Sequence, residues 1–223
     1  MTNKITIFSN LNLGIRFYLT LSLTCIIVLY LAYIAGGGIL NLFAGLCGIL
    51  YIFFAGRGKN ICFIFGILYS CIYAFIAYKE NLYGEVMLNL FYLPFNFAGL
   101  FLWKKNQCNN KIIILHLPRK QMLFYGFILI ISSIIYGIFL QNINADFAYL
   151  NAFSVVAQIM AFYLQVKRYV ENYLLVTFAN IASIIFWGAK VQESAANLAQ
   201  LITYIIFLIL GIRYLMLWNK EAK

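Results

Sequence analysis

The sequence predicts an all-α polytopic membrane protein with about eight transmembrane helices. Of its 223 residues, 65% are hydrophobic and only 10% charged, and the mean hydropathy is +0.90, which excludes a soluble globular domain or a disordered chain. Eight mostly apolar runs follow one another, each near the roughly 20 residues a helix needs to cross about 30 Å of hydrocarbon. The cationic residues gather in alternate connections between those runs.

The runs extend from Phe17 to Tyr33, Leu40 to Ala55, Ile61 to Tyr78, Val86 to Trp103, Met122 to Leu140, Phe147 to Val166, Tyr173 to Gly188 and Ala196 to Leu217. None shows the two-residue alternation of a barrel strand, so in lipid each must satisfy its backbone within a helix. Lys4 precedes the first run, but no small-residue cleavage site follows it, and that run is expected to remain as a helix. Gly36-Gly37-Gly38 reads as a turn, since no strand precedes it and the Lys-Ser/Thr of a phosphate loop is missing. Pro94, inside the fourth run, removes one backbone hydrogen bond and predicts a kink or hinge.

A net charge of +10 would suggest nucleic acid in a soluble protein, but here its location decides. With the N-terminus inside, the inner segments carry Lys4, Arg16, Arg57, Lys59, Lys104, Lys105, Lys111, Arg119, Lys120, Lys167, Arg168, Arg213, Lys220 and Lys223, and the outer loops only Lys79 and Lys190. This asymmetry predicts cytoplasmic N- and C-termini and a multi-pass protein of the bacterial cytoplasmic (inner) membrane, with lipid and not nucleic acid around it. Cys25, Cys47, Cys62, Cys71 and Cys108 have no CxxC spacing, and His116 is the single histidine. Neither a disulfide framework, a metal site nor a cofactor is expected.

A faint internal repeat is also present. Leu40-Asn41 with Phe43 matches Leu150-Asn151 with Phe153, Arg57 matches Lys167 at the same offset, and the third helices end alike in Trp103-Lys104 and Trp218-Asn219-Lys220. Two parallel three-helix repeats need one linker helix between them to restore orientation, with a pathway between the two. The expected organisation is an N-terminal tail and extra helix over 1–37, the first repeat over 38–105, a cytoplasmic loop and linker helix over 106–145, and the second repeat over 146–223.

Uncharged polar residues within the spans fall on single helical faces. Asn89, Tyr92 and Asn96 share the i, i+3, i+7 spacing with Asn151, Ser154 and Gln158, with Asn180, Ser183 and Trp187, and with Asn197, Gln200 and Tyr204. Amides offer paired donors and acceptors and aromatic rings offer flat surfaces, which suits a neutral or singly cationic nucleoside-like vitamin. The competing role for such residues is helix-to-helix glue, worth about 0.6 kcal/mol each on average. No acid stands in the middle of a span, so no proton or sodium relay is expected. Glu80, Glu85, Asp146, Glu171 and Glu193 all read as interfacial, with Glu85 placed to draw a cationic solute to the outer mouth.

Tyr83-Gly84-Glu85, Asn89-Leu90-Phe91-Tyr92, Pro94, Asn96, Gly99 and Trp103-Lys104-Lys105 together resemble the PnuC family of vitamin transporters. A weaker likeness continues through Ser154, Ala157-Gln158, Glu171-Asn172 and Asn180. The resemblance implies a carrier for nicotinamide riboside, or for another vitamin such as thiamine, with a fold like that of full-length SWEET sugar transporters. It further implies homotrimers, and facilitated diffusion with trapping by cytosolic phosphorylation. The substrate residues it implies are Asn89, Tyr92, Asn96, Gln158 and Asn180. Nicotinamide riboside members carry a Trp-x-x-Trp pair where this chain has Tyr173 and Val176, leaving Tyr173 as one stacking surface.

The predicted substrate-binding set is therefore Asn89, Tyr92, Asn96, Ser154, Gln158, Tyr173, Asn180, Ser183, Trp187, Asn197 and Gln200. An enzyme is not expected, because the spans hold no nucleophile with a base, no carboxylate pair and no metal cluster, and His116 reads as a solvated loop residue. The alternative from another class is a membrane assembly subunit, since aromatic-rich helices also form protein interfaces.

Overall fold

The computed structural model describes residues 14–36, 38–79, 83–108, 111–192 and 195–222; of residues 83–85, 87, 108, 111, 195 and 196 only the backbone is described. Lys4, Gly37, Glu80, Glu193 and Lys223 lie outside the described residues, as do the side chains of Glu85 and Lys111.

Eight helices occur among the described residues: α1 (Ile15–Ile34), α2 (Ile39–Gly56), α3 (Cys62–Lys79), α4 (Tyr83–Lys105), α5 (Arg119–Asn142), α6 (Ala148–Val166), α7 (Glu171–Ala189) and α8 (Ala195–Glu221). Each corresponds to one predicted run. Several extend past the apolar residues, as α4 does to Lys105 and α8 to Glu221, because a helix keeps its backbone bonded well into the headgroup zone. By length and composition, seven of the eight can cross a membrane among the described residues; the other, α4, has 23 residues, with side chains of its first turn outside the description. At about 1.5 Å per residue it too is long enough to span. α4 continues through Pro94 as one helix.

A hairpin between α4 and α5 was not expected from the sequence. Its strands, β1 (Gln107–Cys108) and β2 (Lys111–Ile112), pair antiparallel with Gln107 opposite Ile112. Two-residue strands carry too little periodicity to be recognised in advance.

The chain forms two compact units, the first holding α1 to α4 with the hairpin and the second holding α5 to α8. In the first, α3 packs between α2 and α4. Gly99 of α4 makes the α3 approach possible, since a Cβ there would lie 2.2 Å from the Phe63 ring. Phe63 is fully buried and meets Trp103 edge-on at 4.8 Å. α1 is anchored by Phe17, 1% exposed, which lies against Phe53 and Phe54 and beneath the Arg57 guanidinium.

In the second unit, α6 lies between α5 and α7, and α8 packs on α7. Ala157 and Ala179, both fully buried, let α6 and α7 approach closely beneath Leu129 of α5. At the far end Tyr173 of α7 meets Trp218 of α8 edge-on at 5.0 Å. This contact mirrors Phe63 with Trp103.

The turns after α2 and α6 are also alike. Each places a residue in the left-handed region, Gly58 at φ 64° and Arg168 at φ 67°. Gly58 donates to the Ala55 carbonyl and Lys59 to that of Phe54, while Arg168 donates to Gln165 and Tyr169 to Leu164. Both are Schellman closures, which satisfy the last carbonyls of a helix. The likeness of Arg57 to Lys167 thus has a structural counterpart, since both are helix C-caps.

Candidate functional site

Two polar faces, one in each unit, contain most of the predicted site residues. In the first unit Asn89 and Asn96 are 3% and 2% exposed, and Tyr92 is half-buried. Asn96 donates from Nδ2 to the Tyr92 carbonyl at 3.1 Å, a bond to its own helix that aims Oδ1 at α3. There Gly66 makes room, for a Cβ on it would sit 2.1 Å from that oxygen. Oδ1 accepts no hydrogen bond among the described residues, an acceptor held in an apolar interior.

In the second unit the polar groups meet one another. Ser154 of α6 and Ser183 of α7 are 2.8 Å apart between hydroxyl oxygens, and Gln158 Nε2 donates to the Ser154 hydroxyl at 3.1 Å. The Ala179 carbonyl accepts from Ser154 at 3.3 Å. One turn from Ser183, Asn180 is 4% exposed, and its Nδ2 has no acceptor among the described residues. It faces α8 where Gly211 leaves space, with a Cβ at Gly211 lying 3.9 Å from Nδ2 and 3.6 Å from Val176. Unused amide capacity beside a satisfied hydroxyl pair suits a ligand with several hydrogen-bonding groups.

The other predicted residues lie elsewhere. Tyr173 is buried, and its ring packs on Tyr214 and Trp218 at the basic end of the unit. Asn197 donates to the Lys190 carbonyl at 2.9 Å, which ties α8 to the end of α7. Gln200 is exposed, and Trp187 is half-buried with its ring edge-on to Phe186. Lys190 pairs with Asp146 at that same end. His116 lies beside Glu171, 3.3 Å from its carboxylate. Gly66 and Gly211, which shape these faces, were missed, and Gly99 entered only through the family resemblance. Their signal was a glycine inside a helix, which a close neighbour can require but does not always accompany, since Gly45 and Gly126 lie in helices with nothing near them.

Among the described residues no group of three or more His, Cys, Asp or Glu could hold a metal ion. Buried amides and hydroxyls on membrane-length helices suit the carriage of a polar solute. The family model described as nicotinamide mononucleotide transporter matches residues 38–220. The chain belongs to that family. It is a multi-pass membrane transporter of a small molecule, and not an enzyme.

The chain is similar to the nicotinamide riboside transporter PnuC of Neisseria mucosa, at 29% identity over 188 residues covering 81% of this chain and 72% of the relative. It is also similar to that of Haemophilus influenzae, at 28% over 154 residues covering 67% and 68%. A crystal structure of the vitamin B3 transporter PnuC superposes with a TM-score of 0.76 at 25% identity, covering 94% of this chain and 93% of that one. The resemblance seen in the sequence is thus to the right family. The match begins at Gly38, the N-cap of α2, so α1 precedes the family segment.

Proposed function

We propose that this transporter takes up nicotinamide riboside by facilitated diffusion. The observation that carries the reading is the Ser154, Gln158, Asn180 and Ser183 cluster, in which Asn180 keeps unused donor capacity. A ribose supplies hydroxyls and a nicotinamide supplies a carboxamide, and both pair with amides. Within the first unit, Asn89, Tyr92 and Asn96 form a polar face of the same amide chemistry. The names of the relatives from Neisseria mucosa and Haemophilus influenzae support the choice of solute.

Transport is a uniport, because no acid occupies the middle of a span, and phosphorylation in the cytosol traps the solute. The protein lies in the bacterial inner membrane with both termini in the cytoplasm, which the uneven placement of its cations supports, and works as a homotrimer, which the family resemblance implies. Oligomer mass in detergent tests the last point.

A second reading, thiamine or another vitamin of that size, is favoured by one feature. Tyr173 is enclosed by Tyr214 and Trp218, and Val176 packs beside Gly211, so this pair offers no two-walled aromatic clamp. Calorimetric titration of the purified protein with nicotinamide riboside, thiamine, riboflavin and nucleosides decides. Nicotinamide riboside is expected to bind tightest. Thiamine binding tenfold tighter would transfer the assignment, and a failure to bind any of them would remove it.

A further inference from the structure

The segment leading into α5 is not a loose tether. Leu115 donates its amide to the Arg168 carbonyl at 3.0 Å, and its own carbonyl accepts from Val170 at 3.0 Å. One residue on, Glu171 takes over: Oε2 accepts the Leu117 amide at 2.9 Å, and Oε1 lies 3.3 Å from His116 Nδ1. Ile114, Leu117 and Val170 are all at least nine-tenths buried around this contact. Arg168, whose carbonyl is used, stands in the left-handed region at a position where the turn after α2 has glycine. A non-glycine residue is strained there, and it persists where surrounding contacts hold it.

We infer that Glu171 is a positioning residue that straps the segment 114–117 to the α6–α7 turn, so that α5, α6 and α7 move as one body during transport. Two contacts join α5 to the α6–α7 pair at different depths. Mid-span, Leu129 packs on Ala157 and Ala179. At the basic end the strap supplies the second. Glu171 suits it, because a carboxylate in the first turn of a helix is stabilised by the helix dipole and bonds a backbone amide strongly. The consequence is functional: α6 carries Ser154 and Gln158, and α7 carries Asn180 and Ser183, so their separation stays fixed while the body moves.

The strap is permanent and does not open during the cycle. A disulfide between Leu115→Cys and Tyr169→Cys, which face each other across the bridge, tests this in proteoliposomes. With oxidised single variants as controls, the oxidised double variant is expected to transport nicotinamide riboside within twofold of the parent. Glu171→Ala is expected to lower the maximal rate at least fivefold while equilibrium affinity changes less than twofold, and oxidising the same cysteine pair in that background should restore the rate. An arrest of transport by the disulfide alone, an unaltered rate in Glu171→Ala, or no rescue would each overturn the inference. The assay rests on the uptake reading. Hydrogen exchange does not: Glu171→Ala should speed exchange at the Leu117 and Leu115 amides at least tenfold, and unchanged exchange refutes the strap even if another solute is carried.

Discussion

Ser154→Ala separates a binding pocket from helix glue. The Ser154 hydroxyl has one proton and must serve three neighbours, the Ser183 hydroxyl, the Ala179 carbonyl and the Gln158 amide. It accepts from Gln158, and either donates to Ala179 while accepting from Ser183 or donates to Ser183. The Ala179 carbonyl keeps its helix bond, so removing the hydroxyl leaves buried Ser183 and half-buried Gln158 without their partner. Each could cost about 1–3 kcal/mol if nothing replaced the bond. Ser183 can turn its proton to the carbonyl one turn back on its own helix, a common recourse of helical serines. That leaves the Gln158 amide as the main loss, and bonds of this kind in membranes average about 0.6 kcal/mol with a maximum near 1.7. The expected destabilisation is therefore about 1 kcal/mol. A freed Gln158 also loses its orientation, so substrate affinity should fall about five- to tenfold, whereas pure glue would leave affinity untouched. Thermal unfolding in detergent and titration calorimetry read the two effects, and the Ser154→Ala/Gln158→Ala cycle measures their coupling. Unchanged affinity in a folded Ser154→Ala protein would refute the pocket.

Asn180→Ala should weaken binding by about 1–3 kcal/mol with little loss of thermal stability, since its Nδ2 bonds no described residue; equal affinity to the parent by calorimetry removes Asn180 from the site. Gly99→Ala forces a methyl to within 2.2 Å of the enclosed Phe63 ring and should cost about 1–3 kcal/mol, whereas Gly211→Ala meets its neighbours at 3.6 Å and should be tolerated; equal unfolding temperatures would refute the packing described. Single cysteines at Arg57, Lys111 or Lys167, in a background without native cysteines, should resist an impermeant reagent applied outside cells, and labelling of two of them reverses the orientation. Collapse of the proton and sodium gradients should leave initial uptake nearly unchanged when a kinase is supplied inside vesicles. Strong dependence on either gradient would refute uniport.

The sequence by itself determined the eight helices and their order, because lipid leaves a spanning backbone a single local solution and a run of apolar residues announces it. It also carried the repeat, since Arg57 and Lys167 cap equivalent turns, and Trp103 and Trp218 close equivalent helix pairs. It selected the polar faces by period alone, yet period cannot distinguish among residues that share a face. Only the tertiary structure separated Ser154, Gln158, Asn180 and Ser183, which cluster, from Asn197, which ties two helix ends, Gln200, which is exposed, and Tyr173, which lies in the core. The physical reason is that a hydrogen bond between helices depends on their separation and rotation, and these are decided by small residues such as Ala157, Ala179 and Gly211 on the facing surfaces. The strap at Glu171 depends on a residue more than 50 positions away in sequence, and nothing local foretells that Leu117 will lie against it.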